Sequence, residues 1–295
     1  MVLTDYLIIV NPTSGRGSKT SLTSYAADEL SKHASVAVVQ TQYRGHGKEL
    51  AKEAVLAGIP NIIAVGGDGT VNEIAGVVAG TSSTLGILPM GSGNGLAREL
   101  GLPVHHLRQC VAIITSGHTR QVDYGTVNDM PFFCTCGSGY DSEVAAGFAD
   151  NKVRGLGPYI RLCVKSFFHL KPRPFHAVID GKAYDFRTVE LNCANIKQFG
   201  FGAEIAPLSD LADGTLNLTV LPAMNLWRAL RFGIALFSKR LHRMPGVTTL
   251  PFRQMELRLP DDATFHVDGD AIEASRELRI KCIAGGLRVF APHFA

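Results

Sequence analysis

Val65-Gly66-Gly67-Asp68-Gly69-Thr70-Val71-Asn72-Glu73 is a glycine-rich turn set between an apolar run and the start of a helix. Ahead of it, Ile62-Ile63-Ala64-Val65 is short and apolar enough for a fully buried strand. Behind it, Thr70 and Glu73 stand three residues apart, the spacing of a capping box. Three glycines within four residues let backbone amides come close to a ligand. The helix N-terminus that follows adds unpaired N–H groups and the positive end of a dipole, so the turn suits a phosphate. Asp68 in the middle of that cradle would repel bare phosphate. It makes sense where a divalent cation, or a proton in transfer, sits between the two.

Outward from this turn, from Tyr6 to about Tyr124, apolar runs alternate with helical patterns. Strands are expected at Tyr6 to Val10, Val36 to Gln40, Ile62 to Val65 and Leu85 to Leu88. Helices are expected near Ser21 to His33, Lys48 to Gly58, Thr70 to Ala79, Gly95 to Leu100 and His106 to Ser116. Such alternation predicts a doubly wound parallel sheet with helices on both faces, and ligands of such sheets collect at the carboxyl ends of the strands. After about Tyr124 the texture changes to short alternating runs broken by turns, among them the Asp180-Gly181 hairpin signal. The expected organisation is an α/β nucleotide domain over residues 1–124 and a second, mainly antiparallel β domain over 125–283. Helical patterns near Pro158 to Leu170 and Leu226 to His242 interrupt the second domain.

The composition narrows the function classes. A chain of 295 residues with 46% hydrophobic content is large enough for two cores, and no apolar run reaches membrane-spanning length. The net charge of +3 argues against a nucleic-acid binder. The first residues lack a basic leader pattern, so the protein is expected in the cytoplasm, with peripheral contact at the inner face of a membrane and a homodimer left open. Six cysteines without Cys-x-x-Cys pairs read as reduced thiols rather than a metal site.

Two further turns accompany the central one. Asn11-Pro12-Thr13-Ser14-Gly15 follows the first strand. It is not a Walker A loop, because Ser18 separates Gly17 from Lys19 and the glycine spacing is wrong. Pro89-Met90-Gly91-Ser92-Gly93-Asn94-Gly95 is a second glycine-rich strand-to-helix turn. In the second half, Ser209-Asp210-Leu211-Ala212-Asp213-Gly214-Thr215-Leu216 sets two carboxylates three apart in a turn, a pattern that can wrap a hard cation. Val267-Asp268-Gly269-Asp270 is another acidic turn.

Taken together, and in this order, these strings resemble the diacylglycerol kinase catalytic-domain family, which includes soluble bacterial lipid kinases and sphingosine kinases. NAD kinases and 6-phosphofructokinases carry strings similar to the central one. The resemblance runs from Asn11 to Asp270 and implies an ATP-dependent kinase for the hydroxyl of a membrane lipid, with diacylglycerol or a related glycerolipid as the leading substrate. It implies ATP contacts at Asn11, Gly15, Thr41, Gly66, Gly67, Asp68, Gly69, Thr70, Val71, Asn72 and Ser92. It also implies Mg²⁺ positioned with the help of Asp68, and a structural Mg²⁺ held by Asp213, Asp210 and the carbonyl of Thr215. Asp270 stands where the family has the glutamate taken as general base. Being one methylene shorter, it leaves Glu273 as a fallback. The last stretch, about residues 284–295, is expected to return to the first domain.

The chain departs from the family at Gly95, where many bacterial members have Asp, and there it is similar to the Gly-Ser-Gly-Asn-Ala of sphingosine kinases. A sphingoid-base kinase and a catalytically idle lipid- or nucleotide-binding regulator therefore remain alternatives. The Asp-Gly-x-Leu and Asp-Gly-Asp strings make an NAD kinase the weaker match. Finally, Met224 to Met255 contains no Asp or Glu, and Leu226 to Arg243 combines a helical apolar pattern, basic residues and the only tryptophan. Such a helix can lie in a membrane interface or simply cover a sheet. The acid-free stretch Asn151 to His176 is expected to add to the same basic surface.

Overall fold

The computed structural model describes residues 4–14, 19–139, 171–200, 202–261 and 263–293. Gly15, the helical pattern near Pro158 to Leu170 and residues 151–170 of the basic stretch lie outside them. Two compact units form, Met1–Asp123 with Ala284–Ala295, and Tyr124–Ile283.

The first unit runs β1 (Tyr6–Val10), α1 (Lys19–Ser31), β2 (Val36–Gln40), α2 (His46–Leu56), β3 (Asn61–Gly66), α3 (Asp68–Val78), β4 (Thr84–Pro89), α4 (Gly95–Glu99) and α5 (Leu107–Thr115). Its strands are parallel in the order β2-β1-β3-β4, with Ile8 level with both Val38 and Ile63. Leu7, Ile8, Ile9, Ile62, Ile63, Ala64 and Val65 are fully buried, as strands covered on both faces require. The covering layers are α1 packed with α5 and α2 packed with α3. The order reverses between β1 and β3, so the loops after those two strands open at the switch point where doubly wound sheets bind ligands.

The second unit contains β5 (Thr119–Val127, whose first residues belong to the other unit), β6 (Met130–Phe132), β7 (Thr135–Gly139), β8 (Arg173–Ile179), β9 (Lys182–Thr188), β10 (Glu190–Ala194), β11 (Gln198–Gly200), β12 (Ala203–Glu204), β13 (Leu216–Leu221), α6 (Leu226–Phe237), β14 (Thr248–Phe252), β15 (Gln254–Arg258), β16 (Phe265–Val267), β17 (Asp270–Ile272) and the start of β18 (Glu277–Phe290). One antiparallel sheet has the order β14-β13-β10-β7-β16-β17. Facing it are β9, β8, β15 and the first half of β18, also antiparallel. Alternate residues Phe175, Ala177 and Ile179 of β8 and Met255 and Leu257 of β15 meet Leu191, Cys193, Leu216 and Leu218 in a shared core. This is the inward-outward alternation of a sheet sandwich. β10 and β13 are buried throughout, because their ends also pack into a second cluster, where Val189, Ala194 and Leu221 meet Phe232, Ala235 and Leu236 of α6. The Asp180-Gly181 hairpin forms with both residues at positive φ, 45° and 82°, as a tight turn of matching twist requires. The chain ends by returning to the first unit, where Val289 pairs with Leu85 in parallel.

The capping box at Thr70 and Glu73 does not form. α3 begins three residues earlier than its spacing suggests, with Gly67 at the N-cap. The Glu73 carboxylate instead accepts the Gly45 N–H at 2.9 Å, at the start of α2. A tertiary partner that could not be seen in the local sequence outcompetes the reciprocal local bond.

Candidate active site

Three loops at the carboxyl ends of β1, β3 and β4 are bound into one assembly by side chains from within the glycine-rich strings. Asn11 donates from Nδ2 to Thr70 Oγ1 at 2.9 Å, and its Oδ1 accepts the Thr13 N–H and hydroxyl, each at 2.9 Å. Asp68 accepts the Asn94 N–H at 2.8 Å and the Gly95 N–H at 2.7 Å, one on each carboxylate oxygen. Asn94 closes the second glycine loop on itself. Its Oδ1 accepts the Gly91 N–H at 2.9 Å and its Nδ2 donates to Gly91 O at 2.7 Å. Asn94 takes φ 55°, a left-handed conformation that asparagine tolerates better than most residues. Met90 N–H donates to Gly66 O at 2.7 Å and carries the sheet pairing into the loops.

Most of the glycines here are demanded by the protein itself. A Cβ on Gly66 would stand 2.5 Å from Thr70 Cβ. One on Gly91 would stand 2.7 Å from Gly67 Cα, and one on Gly93 2.7 Å from the Asp68 carboxylate. The two loops thus pack backbone against backbone. Gly69 differs: nothing lies within 4 Å of its Cβ position, and its φ is not positive.

The other expected contacts divide. Thr41 is buried, with its N–H on Val10 O at 2.9 Å. Asn72 is half-buried and Ser92 is exposed at a loop tip. Val71 turns its side chain into the core, and its N–H closes the first helical bond to Gly67 O. His46 stands at the first position of α2, accepting the Gln42 N–H on Nδ1 at 3.0 Å and stacking on Tyr43.

In the second unit, Asp268 and Gly269 form the two-residue turn between β16 and β17, with φ 50° and 83°. The Asp268 carboxylate accepts three backbone N–H groups, from Phe133 at 2.9 Å, Cys134 at 2.7 Å and Thr135 at 3.0 Å. Burial pushes its pKa up to about 6, against the pull of those three donors and of His266. Asp268 is thereby the anchor that holds Asp270 at the exposed end of the turn, and it escaped the sequence reading because an Asp-Gly pair looks like turn chemistry alone. Asp270 and Glu273 are both exposed.

Asp213 Oδ1 accepts the Thr215 N–H and hydroxyl, both at 2.8 Å, and Asp210 Oδ1 accepts the Ala212 N–H at 2.9 Å. Both carboxylates are exposed. Among the described residues no group of three or more His, Cys, Asp or Glu side chains gathers as a metal site. The five described cysteines are free thiols.

Residues 5–127 match the model of the diacylglycerol kinase catalytic domain, and residues 134–291 match that of the YegS C-terminal NAD kinase beta sandwich-like domain. A diacylglycerol kinase of Bacillus subtilis (strain 168) is 31% identical over 235 residues, covering 76% of this chain and 76% of its own. The chain belongs to the diacylglycerol kinase family. A diacylglycerol kinase of Mycobacterium tuberculosis (strain ATCC 25618 / H37Rv) is 29% identical over 295 residues, covering 96% and 94%. Among solved structures, a diacylglycerol kinase from Bacillus anthracis str. Sterne aligns with a TM-score of 0.76 at 18% identity, covering 98% of this chain and 97% of its own. A second crystal structure from that organism reaches 0.82 at 22% identity, covering 99% and 97%. At those identities the structures bear on the fold, which is the parallel-sheet and antiparallel-sheet pair described above. The protein is a lipid kinase. No helix among the described residues of this lipid kinase is long and apolar enough to cross a membrane.

Proposed function

We propose that this lipid kinase transfers the γ-phosphoryl group of ATP to the free hydroxyl of a glycerolipid, diacylglycerol foremost. The observation that carries the nucleotide half of the reading is Gly69. Neither packing nor backbone conformation requires glycine there, and glycine in a helix costs up to about 1 kcal/mol relative to alanine. A residue without a side chain at the second position of α3 leaves the helix N-terminus open to an anion, as phosphate sites at helix starts require. Phosphoryl transfer asks mainly for positioning and charge stabilisation. In this reading the first turn of α3 and the loops at Asn11 and Ser92 hold the triphosphate, and Asp68 keeps two of these loops in register.

Diacylglycerol is favoured by the relatives bearing the name diacylglycerol kinase. Asp270 is the group proposed to take the acceptor hydroxyl's proton, with Glu273 as its substitute. Mg²⁺ is proposed at Asp210, Asp213 and the Thr215 carbonyl. These hard oxygen donors suit the ion, which would brace the turn into β13. The sphingoid-base reading rests on Gly95, which, like the alanine of the sphingosine-kinase string, lacks the carboxylate that many bacterial members of the family have there. Purified protein incubated with γ-labelled ATP and a lipid panel tests the proposal. Label in phosphatidic acid is expected. Label in sphingosine alone would move the assignment to sphingoid bases, and no label in any lipid would overturn the kinase chemistry proposed here.

A further inference from the structure

α6 is apolar on two opposite sides. Its inner side, Phe232, Ala235 and Leu236, packs on the cluster around Leu221, Leu241 and Met244. Covering a sheet therefore accounts for that side alone. On the outer side Trp227, Leu230, Ile234 and Phe237 are 76%, 57%, 63% and 63% exposed. At about 100° per residue these four fall within an arc of roughly 80°, a continuous ridge rather than scattered contacts. Large exposed apolar ridges mark interaction surfaces, and the charge around this one says what it meets. From Met224 to Met255 there is no acidic residue. Arg228 and Arg231 line a recess beside the ridge with Met244, Pro245 and Gly246, and Arg240 is exposed just beyond the helix. Lys239 is set apart, because its Nζ pairs with Glu204 at 2.9 Å.

We propose that this outer face of α6 is the surface by which the protein docks on an anionic phospholipid membrane, the ridge entering the interface and the arginines meeting lipid phosphates. An interfacial helix needs both parts, apolar burial for depth and basic residues for attraction to the surface charge. A protein partner would be expected to answer an apolar ridge with apolar surface. The arginines, in a segment that has no acid of its own and with Glu204 already answered by Lys239, fit a sheet of negative headgroups instead. This assignment rests on the lipid-kinase reading for its purpose, since the acceptor lies in the bilayer, but its test does not depend on turnover.

The single tryptophan sits on the ridge, so its fluorescence reports directly on insertion. With phosphatidylglycerol vesicles the emission of the full-length protein should shift to the blue, and it should not with phosphatidylcholine alone. Added salt should reverse the shift. Arg228→Gln, Arg231→Gln and Arg240→Gln together should weaken vesicle affinity by on the order of a hundredfold, about fivefold each. Leu230→Ser with Ile234→Ser should abolish the shift while leaving the melting temperature near wild type, because neither side chain is in the core. Phosphorylation of diacylglycerol in neutral detergent micelles is measured in parallel. Micellar activity without a tryptophan shift on anionic vesicles would overturn the docking face and leave the kinase standing. A blue shift that instead follows protein concentration without vesicles would assign the ridge to a second copy of the chain and equally overturn the proposal.

Discussion

Gly69→Ala separates a glycine kept for the fold from one kept for a ligand. The added methyl meets nothing within 4 Å, and the backbone is not in the left-handed region, so the folded state accepts it without strain. Alanine restricts the unfolded chain and favours the helix, so the variant should be more stable by a few tenths to about 1 kcal/mol, a rise in melting temperature of about 1 to 4 °C. The same methyl stands over the first turn of α3, where phosphate is proposed to approach. ATP affinity should fall at least tenfold, about 1.4 kcal/mol, with the loss appearing in KM for ATP rather than in KM for the lipid. Gly66→Ala is the control in the opposite sense, since its methyl would stand 2.5 Å from Thr70 Cβ and should destabilise by about 1 to 3 kcal/mol. Melting curves and ATP titrations of both variants decide the matter. A Gly69→Ala protein that is more stable and binds ATP as well as wild type would refute the assignment of α3 to the phosphates.

Asp68→Asn can satisfy only one of the two amides that the carboxylate now holds. It should cost about 1.5 to 3 kcal/mol in thermal denaturation and end turnover in the folded protein, and near-wild-type turnover would remove Asp68 from the site. Asp270→Ala should lower turnover by a factor on the order of 10² to 10⁴ with ATP affinity unchanged, and inactivation by Glu273→Ala instead would reverse the two roles. Mg²⁺ should raise the melting temperature of wild type but not of Asp213→Ala, and a wild type indifferent to both Mg²⁺ and chelator would dismiss the ion from that turn. For Asp268, a folded pKa raised by burial means that its contribution is fully present below 3.8 and is lost as pH rises through about 6. Wild-type stability minus that of the non-titrating Asp268→Asn should therefore fall across that window, and a difference that rises with pH would show that the three N–H donors outweigh desolvation.

The parallel sheet was legible because its strands are buried on both faces. Ile62 to Val65 and Leu85 to Leu88 have no alternation to hide, and each ends at a glycine turn that leads into the next helix. The antiparallel character of the second unit was legible through alternation of the kind that β8 and β15 keep intact, and through the Asp180-Gly181 turn, whereas the facing of its two sheets was not. Roles set by long-range partners were not readable. Glu73 has capping-box spacing, yet Gly45, 28 residues earlier, takes its carboxylate. Asp268 looks like a turn residue, and only the amides of Phe133 to Thr135, more than 130 positions away, reveal an anchor. The apolar pattern of α6 could be read from the sequence, but not which of its residues the cluster around Leu221 covers and which stay exposed.

Asp68 and Gly95 carry that lesson into the chemistry. The Asp68 carboxylate holds one amide on each oxygen, and the nearer of the two belongs to Gly95. A carboxylate side chain on residue 95 would add a second negative charge beside the first. Two such charges roughly 5 Å apart at an effective dielectric of about 20 repel by about 3 kcal/mol, so that arrangement calls for a cation between them. With glycine at 95 the single remaining charge is already met by the donors at the start of α4. Asp68 can then join the β3 and β4 loops without waiting for an ion, which fits an assembly closed by Asn11, Asp68 and Asn94. The acidic residue that looked anomalous within its own nine-residue string is explained by amides 26 and 27 positions downstream.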